Sequence, residues 1–378
     1  MDTASNPPGG DDAGEEIAQP QSAAKPAPRP FVESDIPAIV ALHHEVMSPS
    51  EKAPASFFRD RFLKHPWRDD STPSWVYTNE ESEITGFIGV IPRTFMLGNR
   101  QVKAAFTTKF MVAPDARGSK AGIALFRKFI DGPQQLSFAD VTNHSGVLFW
   151  QAFGGLTVPI YSMEWRRSLR RCPSRRIKPR SGLLSSLAKV YRPWIDRVAQ
   201  RIYPAPVVKD PDVIADAFDC AEIVEALPKL IGSNTLYPQY DADSLAWSLR
   251  ILDEAPDLEL MHRSVRSQDG TLIGWFVYAI SNQTAQVVQL TAYKRQRDRV
   301  LDAMFRHAAT HGVADMVGRL DSTWLPLLSD RPDITCNFRG YSMMIRSDDV
   351  ELSERILRGD MHISPLDGEL LTQFHHER

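Results

Sequence analysis

The sequence predicts an α/β (α+β) protein of two domains, each a mixed, mostly antiparallel sheet flanked by helices. Two observations support this fold class. The chain has 378 residues, of which 43% are hydrophobic, and this is enough for two domains that each bury a core. The order helix, hairpin, long strand, basic loop, helix, strand, helix also occurs twice along the chain. Such an internal repeat indicates architecture more strongly than a single motif does.

Apolar periodicity places the elements of the first copy. Apolar residues recur at helical spacing over 36–46, and three phenylalanines share one side of a second helix at 55–64. The remaining segments are apolar or alternating runs separated by turn residues. They predict strands at 75–77, 84–91, 104–112 and 138–142 and helices at 123–130 and 145–153.

Composition divides the chain into four parts. Residues 1–28 are rich in Ala, Pro, Gly and acids and hold almost no bulky apolar residue, which predicts a disordered tail. Residues 29–165 form the first predicted domain and residues 211–378 the second. Residues 166–210 are a basic linker between them.

The bulk properties exclude several classes of protein. The net charge is −3, which is no signature of nucleic-acid binding. Cys172, Cys220 and Cys336 are far apart and form no CxxC pair, so neither a disulfide framework nor a metal site is indicated. No apolar stretch approaches the ~18 residues that span a bilayer, and the N-terminus does not resemble a signal peptide. We therefore expect a cytoplasmic protein without a bound metal.

The basic linker has an unusual charge. Between residues 166 and 209 there are thirteen Lys or Arg and one acid, a local charge of 13 − 1 = +12, so the remainder carries about −15. Residues 183–203 place apolar side chains on one helical face, with Tyr191, Trp194 and Tyr203 among the aromatic residues of that stretch. Three interpretations stay open: a solvated connector that packs between the domains, a helix lying peripherally at the inner membrane surface, and a docking site for an acidic acyl carrier protein.

The stretch with the most chemical content follows the strand at 104–112. Small and basic residues lie directly before a helix, and such a loop can hold a diphosphate, because successive backbone N–H groups and the helix N-terminus attract anionic oxygens. The plainer alternative is a strand-to-helix turn that carries basic side chains. The loop consists of Arg117, Gly118, Ser119, Lys120, Ala121 and Gly122.

This region resembles the GNAT superfamily of acyl-CoA N-acyltransferases. Val112-Ala113-Pro114 and then Arg117 and Gly122 match the family's strand end and loop, while Lys120 stands where the first motif glycine is usual. A second match lies after the next strand and covers Asn143, Gly146, Trp150 and Gly154. The resemblance covers about residues 29 to 165.

The resemblance implies an acyl-CoA site. Strands four and five of such a domain splay apart, and pantetheine pairs with backbone amides near Phe110, Met111 and Val112. The loop at 117–122 would hold the diphosphate, and Asn143 and Trp150 belong to the same expected site. The co-substrate would be acetyl-CoA or a longer acyl-CoA. A primary amine acceptor would attack the thioester directly.

The acid and base of the reaction are not visible in the sequence. Trp150 stands where the family usually has a tyrosine acid, and an indole N–H is no acid at working pH. Lys109, Asp140 and His144 are weak candidate bases, because a structural or solvated role explains each of them better. The catalytic residues are therefore left unassigned.

The second copy resembles a degenerate GNAT-like domain. Its loop at 294–299 is basic but lacks glycine, which hinders close approach to a diphosphate. Tandem acyltransferases such as the peptidoglycan-branching Fem-type enzymes have this organisation. By this resemblance we expect an amino sugar or aminoacyl acceptor from cell-envelope or polysaccharide chemistry. The alternative hypothesis is a non-catalytic binding protein that keeps the fold, and a third has an acyl carrier protein as the donor.

Overall fold

The computed structural model describes residues 25–47, 53–169, 212–255 and 258–372. Most of the predicted tail and the helix expected at 183–203 lie outside these residues, so both stay predictions. Within the described residues no helix is long and apolar enough to cross a membrane.

The first sheet contains strands from both ends of the chain. Its order is β1-β2-β3-β4-β5-β15-β6, and β9 adds to the outer end of β3. All its pairings are antiparallel except that of β4 with β5. The strands are β1 (Ala27–Pro30), β2 (Trp75–Thr78), β3 (Ile84–Leu97), β4 (Arg100–Val112), β5 (Leu136–Thr142), β6 (Leu156–Val158), β9 (Tyr237–Pro238) and β15 (Ser342–Arg346).

The second sheet repeats this arrangement. Its order is β14-β7-β13-β12-β11-β10-β8, and only β12 and β13 are parallel. Apart from β9, the two sheets thus correspond strand by strand, which confirms the fold class of mixed, mostly antiparallel sheets. The strands are β7 (Met163–Ser168), β8 (Val213–Asp216), β10 (Glu259–Ser267), β11 (Leu272–Ser281), β12 (Thr284–Ala292), β13 (Asp315–Arg319) and β14 (Ile334–Phe338).

The two halves of the chain exchange one strand each. β7 follows β6 in the chain but lies between β13 and β14 in the second sheet. β15 follows β14 in the chain but lies between β5 and β6 in the first. The domain boundary predicted after residue 165 therefore falls inside β7. Each sheet is completed by a strand from the other half.

Helices cover the faces of both sheets. On the first sheet α1 and α2 bury Phe57, Phe58 and Phe62 against one face, while α3 and α4 bury Phe126 and Trp150 against the other. Apolar residues three and four apart create these faces, as the sequence predicts. The helices are α1 (Ile36–Val46), α2 (Ala55–Phe62), α3 (Ala121–Ile130), α4 (His144–Ala152), α5 (Cys220–Leu230), α6 (Ala242–Asp253), α7 (Arg297–Thr310), α8 (Leu325–Ser329) and α9 (Val350–Leu357).

The C-terminal segment, residues 361–372, runs through the interior between the two sheets. It contains two short 3-10 turns, Pro365–Asp367 and Glu369–Thr372, and it is buried almost throughout. Hydrogen bonds fix its course: the backbone N–H of His362 donates to the Leu236 carbonyl at 2.7 Å. The Asp367 carboxylate accepts from the Ser364 N–H at 2.8 Å and also from the Tyr240 hydroxyl.

Because the exchanged strands join the halves, loss of one core contact in β7 should weaken the whole chain. Trp165 is 2% exposed in the second sheet and its ring meets Phe305 edge-on at 5.8 Å. We expect Trp165→Ala to lower the free energy of unfolding by about 3–5 kcal/mol, through lost burial and an internal cavity. Urea denaturation followed by circular dichroism measures this.

The control for that variant is Val350→Ala, at a side chain that is 69% exposed. This change should stay within about 0.5 kcal/mol of the original chain. A Trp165→Ala protein whose two halves melt in separate transitions would contradict the coupling.

Candidate functional site

A gap opens between β4 and β5 in the first sheet. The two strands pair only over Ala104–Phe106 and Leu136–Phe138. Beyond these residues β4 continues to Val112 and β5 to Thr142 with no ladder between them. The backbone groups on this edge of β4 are therefore available to hydrogen-bond other groups, whereas on β5 the N–H groups of Asp140 and Val141 donate to the Glu369 side chain.

A β-bulge marks the point where β4 leaves β5. Thr108 faces Gly89 on β3, whereas Met111 faces Phe87, so Lys109 and Phe110 together oppose one residue. Lys109 has φ +49°, which is uncommon for a residue with a side chain. Bulges of this kind turn neighbouring side chains to new directions and are frequent beside functional sites.

The predicted anion-binding loop lies at the open end of this gap. A short turn at 114–116 leads from β4 to Arg117, Gly118, Ser119 and Lys120, which are all exposed. Gly118 has φ +85° and open space around it, so the turn needs a glycine there. The helix α3 then begins at Ala121, and its first N–H groups have no intrahelical partners. The N–H groups of Arg117, Ser119 and Ala121 donate within the turn itself. The loop therefore presents positive charge together with the donors that remain at the start of α3.

The side of the gap next to α3 and α4 is apolar and partly open. The ring of Phe110 is 37% exposed and lies 5.6 Å from that of Phe149. A Cβ added at Gly122 would meet Phe110 and Val112 at 3.5 and 3.6 Å, which is ordinary contact. A larger side chain at this position would therefore lie against β4 beside the gap.

The second motif has mainly structural positions. Asn143 caps α4, since its Oδ1 accepts from the Gly146 N–H at 2.9 Å. Trp150 is buried and packs on Phe126 at 5.2 Å, between α3 and α4. His144 is exposed at the start of α4. Direct contact of Asn143 and Trp150 with a cofactor stays a prediction.

Two buried hydroxyls on the gap strands fit a ligand with amide groups. Thr107 on β4 and Thr142 on β5 are 5% and 8% exposed, and their Oγ1 atoms have no partner among the described residues. A buried hydroxyl without a partner is costly. The pantetheine arm of CoA carries two amides that could pair with such hydroxyls and with the unpaired edge of β4. The residues present thus fit CoA.

The opposite face of the gap, towards α1 and α2, is cationic. The Nζ of Lys109 lies 5.7 Å from the Phe57 ring centroid, and Arg61 stacks on the same ring at 4.8 Å. His43 on α1 is fully buried, and burial, with Lys109 and His44 nearby, lowers its pKa to about 4. This imidazole is therefore neutral at physiological pH.

Asp140 belongs to a buried charged cluster that joins the two halves. Its carboxylate forms an ion pair with Arg319 on β13, and both side chains are less than 5% exposed. Its Oδ1 also accepts from the Glu369 N–H at 2.8 Å. A Cβ at Gly368 would lie 2.4 Å from this carboxylate, so only glycine permits the approach. Arg339 donates to the Asp140 carbonyl.

Glu369 is the residue that the sequence reasoning missed. Its Oε1 accepts from the backbone N–H groups of Asp140 at 3.2 Å and Val141 at 3.1 Å. Burial and the adjacent Asp140 carboxylate raise the pKa of Glu369 to about 8. Residues 366–371 read Leu-Asp-Gly-Glu-Leu-Leu, and nothing in this short stretch separates Glu369 from an ordinary surface acid.

The corresponding gap in the second sheet is filled. β12 and β13 pair over Thr284–Gln286 and Asp315–Val317 only. The C-terminal segment takes the vacated place, where the Thr291 hydroxyl lies 3.2 Å from the His362 Nε2. A cavity of about 40 Å³ remains, beside Asp321 and Trp324.

A groove of about 560 Å³ lies on the other side of α3, next to Trp75 and Lys128. None of its lining residues belongs to β4 or β5, so it is separate from the gap. In the described part of the chain no group of three or more His, Cys, Asp or Glu side chains is placed to hold a metal ion.

This gap, bulge and loop on an eight-stranded mixed sheet define the GNAT fold, and comparison with solved structures confirms it. No model of a known protein family matches the chain, and no curated protein matches it in sequence.

Three solved structures illustrate the likeness. A GCN5-related N-acetyltransferase from Kribbella flavida is 14% identical with a TM-score of 0.53, over 85% of this chain and 72% of that one. A probable N-acyltransferase from Enterococcus faecalis V583 is 13% identical with a TM-score of 0.58, over 85% of this chain and 72% of that one. A GCN5-related N-acetyltransferase from Anabaena variabilis is 12% identical with a TM-score of 0.56, over 86% of this chain and 74% of that one. At these identities the likeness establishes the fold.

The raised pKa of Glu369 predicts a pH dependence of stability. The folded chain keeps the proton up to pH about 8, whereas the unfolded chain releases it near pH ~4.3. Stability from this group is therefore complete below pH ~4.3 and is lost as pH rises to 8. We expect the unfolding free energy of the original chain to fall relative to Glu369→Gln across this range.

Urea denaturation at pH 5, 6, 7 and 8 measures the difference between the two proteins. A difference that stays constant over these pH values would show that Glu369 titrates normally in the folded chain.

Proposed function

We propose that this protein is an acyltransferase that moves an acyl group from acyl-CoA, bound in the gap of the first sheet, to a primary amine. The observation that carries the proposal is the gap between β4 and β5 with the basic, glycine-containing loop at its open end. An extended ligand with amides at one end and a diphosphate at the other matches both parts.

Each part of the site has a role in this proposal. The unpaired edge at Phe110, Met111 and Val112 would pair with the pantetheine amides. The N-terminus of α3 and the loop N–H groups would hold the diphosphate, and Arg117 and Lys120 would add charge-assisted hydrogen bonds. Acetyl-CoA or a longer acyl-CoA supplies an activated thioester when it is bound.

The acceptor would approach from the face of α1 and α2. Since α3, α4 and the loop occupy the CoA side, this opposite face is the remaining access to the bulge at Lys109. The cations Lys109 and Arg61 would disfavour a protonated amine there, and the neutral amine is the form that attacks. An amino sugar or an aminoacyl group remains the proposed acceptor class.

The second half would serve as a structural partner. Its gap holds His362 and the residues after it, and its loop at 294–299 lacks glycine. We therefore expect one acyl-CoA for each chain. A non-catalytic binding role is the alternative, and the experiments below distinguish it by turnover.

Substitution of Gly122 tests the cofactor site. Gly122→Ala adds a methyl group at ordinary contact distances, so acetyl-CoA affinity should stay within threefold. Gly122→Glu should weaken it at least 100-fold, because the side chain would lie beside the gap and repel the diphosphate. Isothermal titration with acetyl-CoA, a long-chain acyl-CoA and free CoA measures this, and release of free thiol with glucosamine or alaninamide measures turnover.

Gly232→Glu is the matched control, since a Cβ at Gly232 meets nothing within 4 Å. It should bind acetyl-CoA like the original chain. Absence of binding by all three ligands would overturn the CoA assignment. Binding without turnover of any amine would favour the non-catalytic alternative.

Paired arginine substitutions test whether one half binds alone. Arg117→Ala should weaken acetyl-CoA binding about tenfold, through loss of one charge-assisted contact. Arg295→Ala, in the corresponding loop of the second half, should leave it unchanged. The titration should give one site per chain, and a stoichiometry of two would contradict the proposed role of the second half.

A further inference from the structure

The C-terminal segment reaches the gap of the first sheet from the acceptor side. On α2, the Nε of Arg61 donates to the Leu371 carbonyl at 2.9 Å. On β4, the Thr108 and Thr372 hydroxyls lie 2.8 Å apart, one residue before the bulge. On β5, Glu369 takes the N–H groups of Asp140 and Val141. The segment thus bridges the two strands where their ladder ends.

Resting on the proposed function, we propose that Glu369 is the general base of the transfer: its carboxylate accepts the proton of the acceptor ammonium at the start of the gap between β4 and β5.

Position distinguishes Glu369 from the other carboxylate in the cluster. Asp140 is 1% exposed and is held by Arg319 and by the Glu369 N–H, so its oxygens are committed. Glu369 is 9% exposed, and its Oε1 is held by backbone N–H groups and its carboxyl by the Thr108 hydroxyl. These neutral donors orient the carboxyl without neutralising it. A base near the bulge is what the reaction requires.

The charged surroundings match a proton carrier that works near neutral pH. Asp140 on β5 and Arg339 before β15 are the charged groups that act on Glu369, and Arg319 on β13 pairs with Asp140. Arg61 on α2 contacts the same segment. Burial, followed by Asp140, dominates and raises the pKa of Glu369 to about 8. A carboxylate with that basicity accepts a proton from an ammonium more readily than an ordinary one does.

The proposed transfer moves one acyl group and two protons. The acceptor ammonium gives one proton to the Glu369 carboxylate and becomes a neutral amine. Its lone pair forms a bond to the thioester carbonyl carbon, and the carbon–sulfur bond breaks with its electron pair going to sulfur. The nitrogen then loses a second proton, which leaves with sulfur as the CoA thiol. Glu369 returns the first proton to solvent.

The test combines binding, turnover and pH. Glu369→Gln should keep acetyl-CoA affinity within twofold by titration. With acetyl-CoA and the more active of glucosamine and alaninamide, its kcat should fall at least 100-fold. Glu351→Gln, at an exposed glutamate on α9, is the matched control and should retain full activity.

The pH profile gives a readout that a structural role would not move. In the original chain kcat/KM should increase with pH, with an apparent pKa near 8. This increase, the rising limb of the pH profile, should be absent in Glu369→Gln. Asp140→Asn removes the neighbouring negative charge, so it should move the limb to lower pH by at least one unit.

Each other result overturns the proposal. Activity of Glu369→Gln within threefold of the original at pH 8 would exclude a base there. Loss of acetyl-CoA binding in Glu369→Gln would make the residue structural. A limb near pH 8 that persists in Glu369→Gln would assign it to another group. The proposed function fails separately, if the original chain itself binds no acyl-CoA or acylates neither amine.

Discussion

Every strand in these two sheets needs a partner on its edge, and the chain meets this requirement by exchange between halves. β7 completes the second sheet and β15 completes the first. The exchange crosses the middle of the molecule, which brings Arg319 on β13 against Asp140 on β5. It also sends the chain after β15 back between the sheets. The site, the buried ion cluster and the course of the C-terminal segment all depend on this one pairing constraint.

The same topology produces an open gap in one half and a filled gap in the other. In both sheets a parallel pair separates after three residues. The C-terminal segment passes the second sheet first, where His362 and its neighbours fill the space. Its described residues then reach the start of the gap in the first sheet, at Thr108. A duplicated fold can thus keep one ligand site because one segment serves as core for the other.

The buried cluster around Asp140 contributes little to the stability of the fold, but it changes the basicity of Glu369. Taking two carboxyls and two guanidinium groups out of water costs more than a surface pair would, and their attraction returns only part of that cost. A protonated Glu369 lowers the cost by removing one charge. The same burial makes that carboxyl a stronger base. The desolvation that destabilises the charged form of Glu369 is therefore also what suits it to accept a proton in the proposed reaction.

Local pattern determined much of this protein from the sequence alone. Apolar spacing gave the helices and central strands within a few residues, and the residues from Val112 to Gly122 gave the loop, because turn chemistry and periodicity are properties of neighbours. Pairings between distant residues were decided only in three dimensions. Nothing near β7 or β15 records which sheet each joins. No motif surrounds Glu369, because its role comes from Asp140 and Thr108, which lie more than two hundred residues earlier.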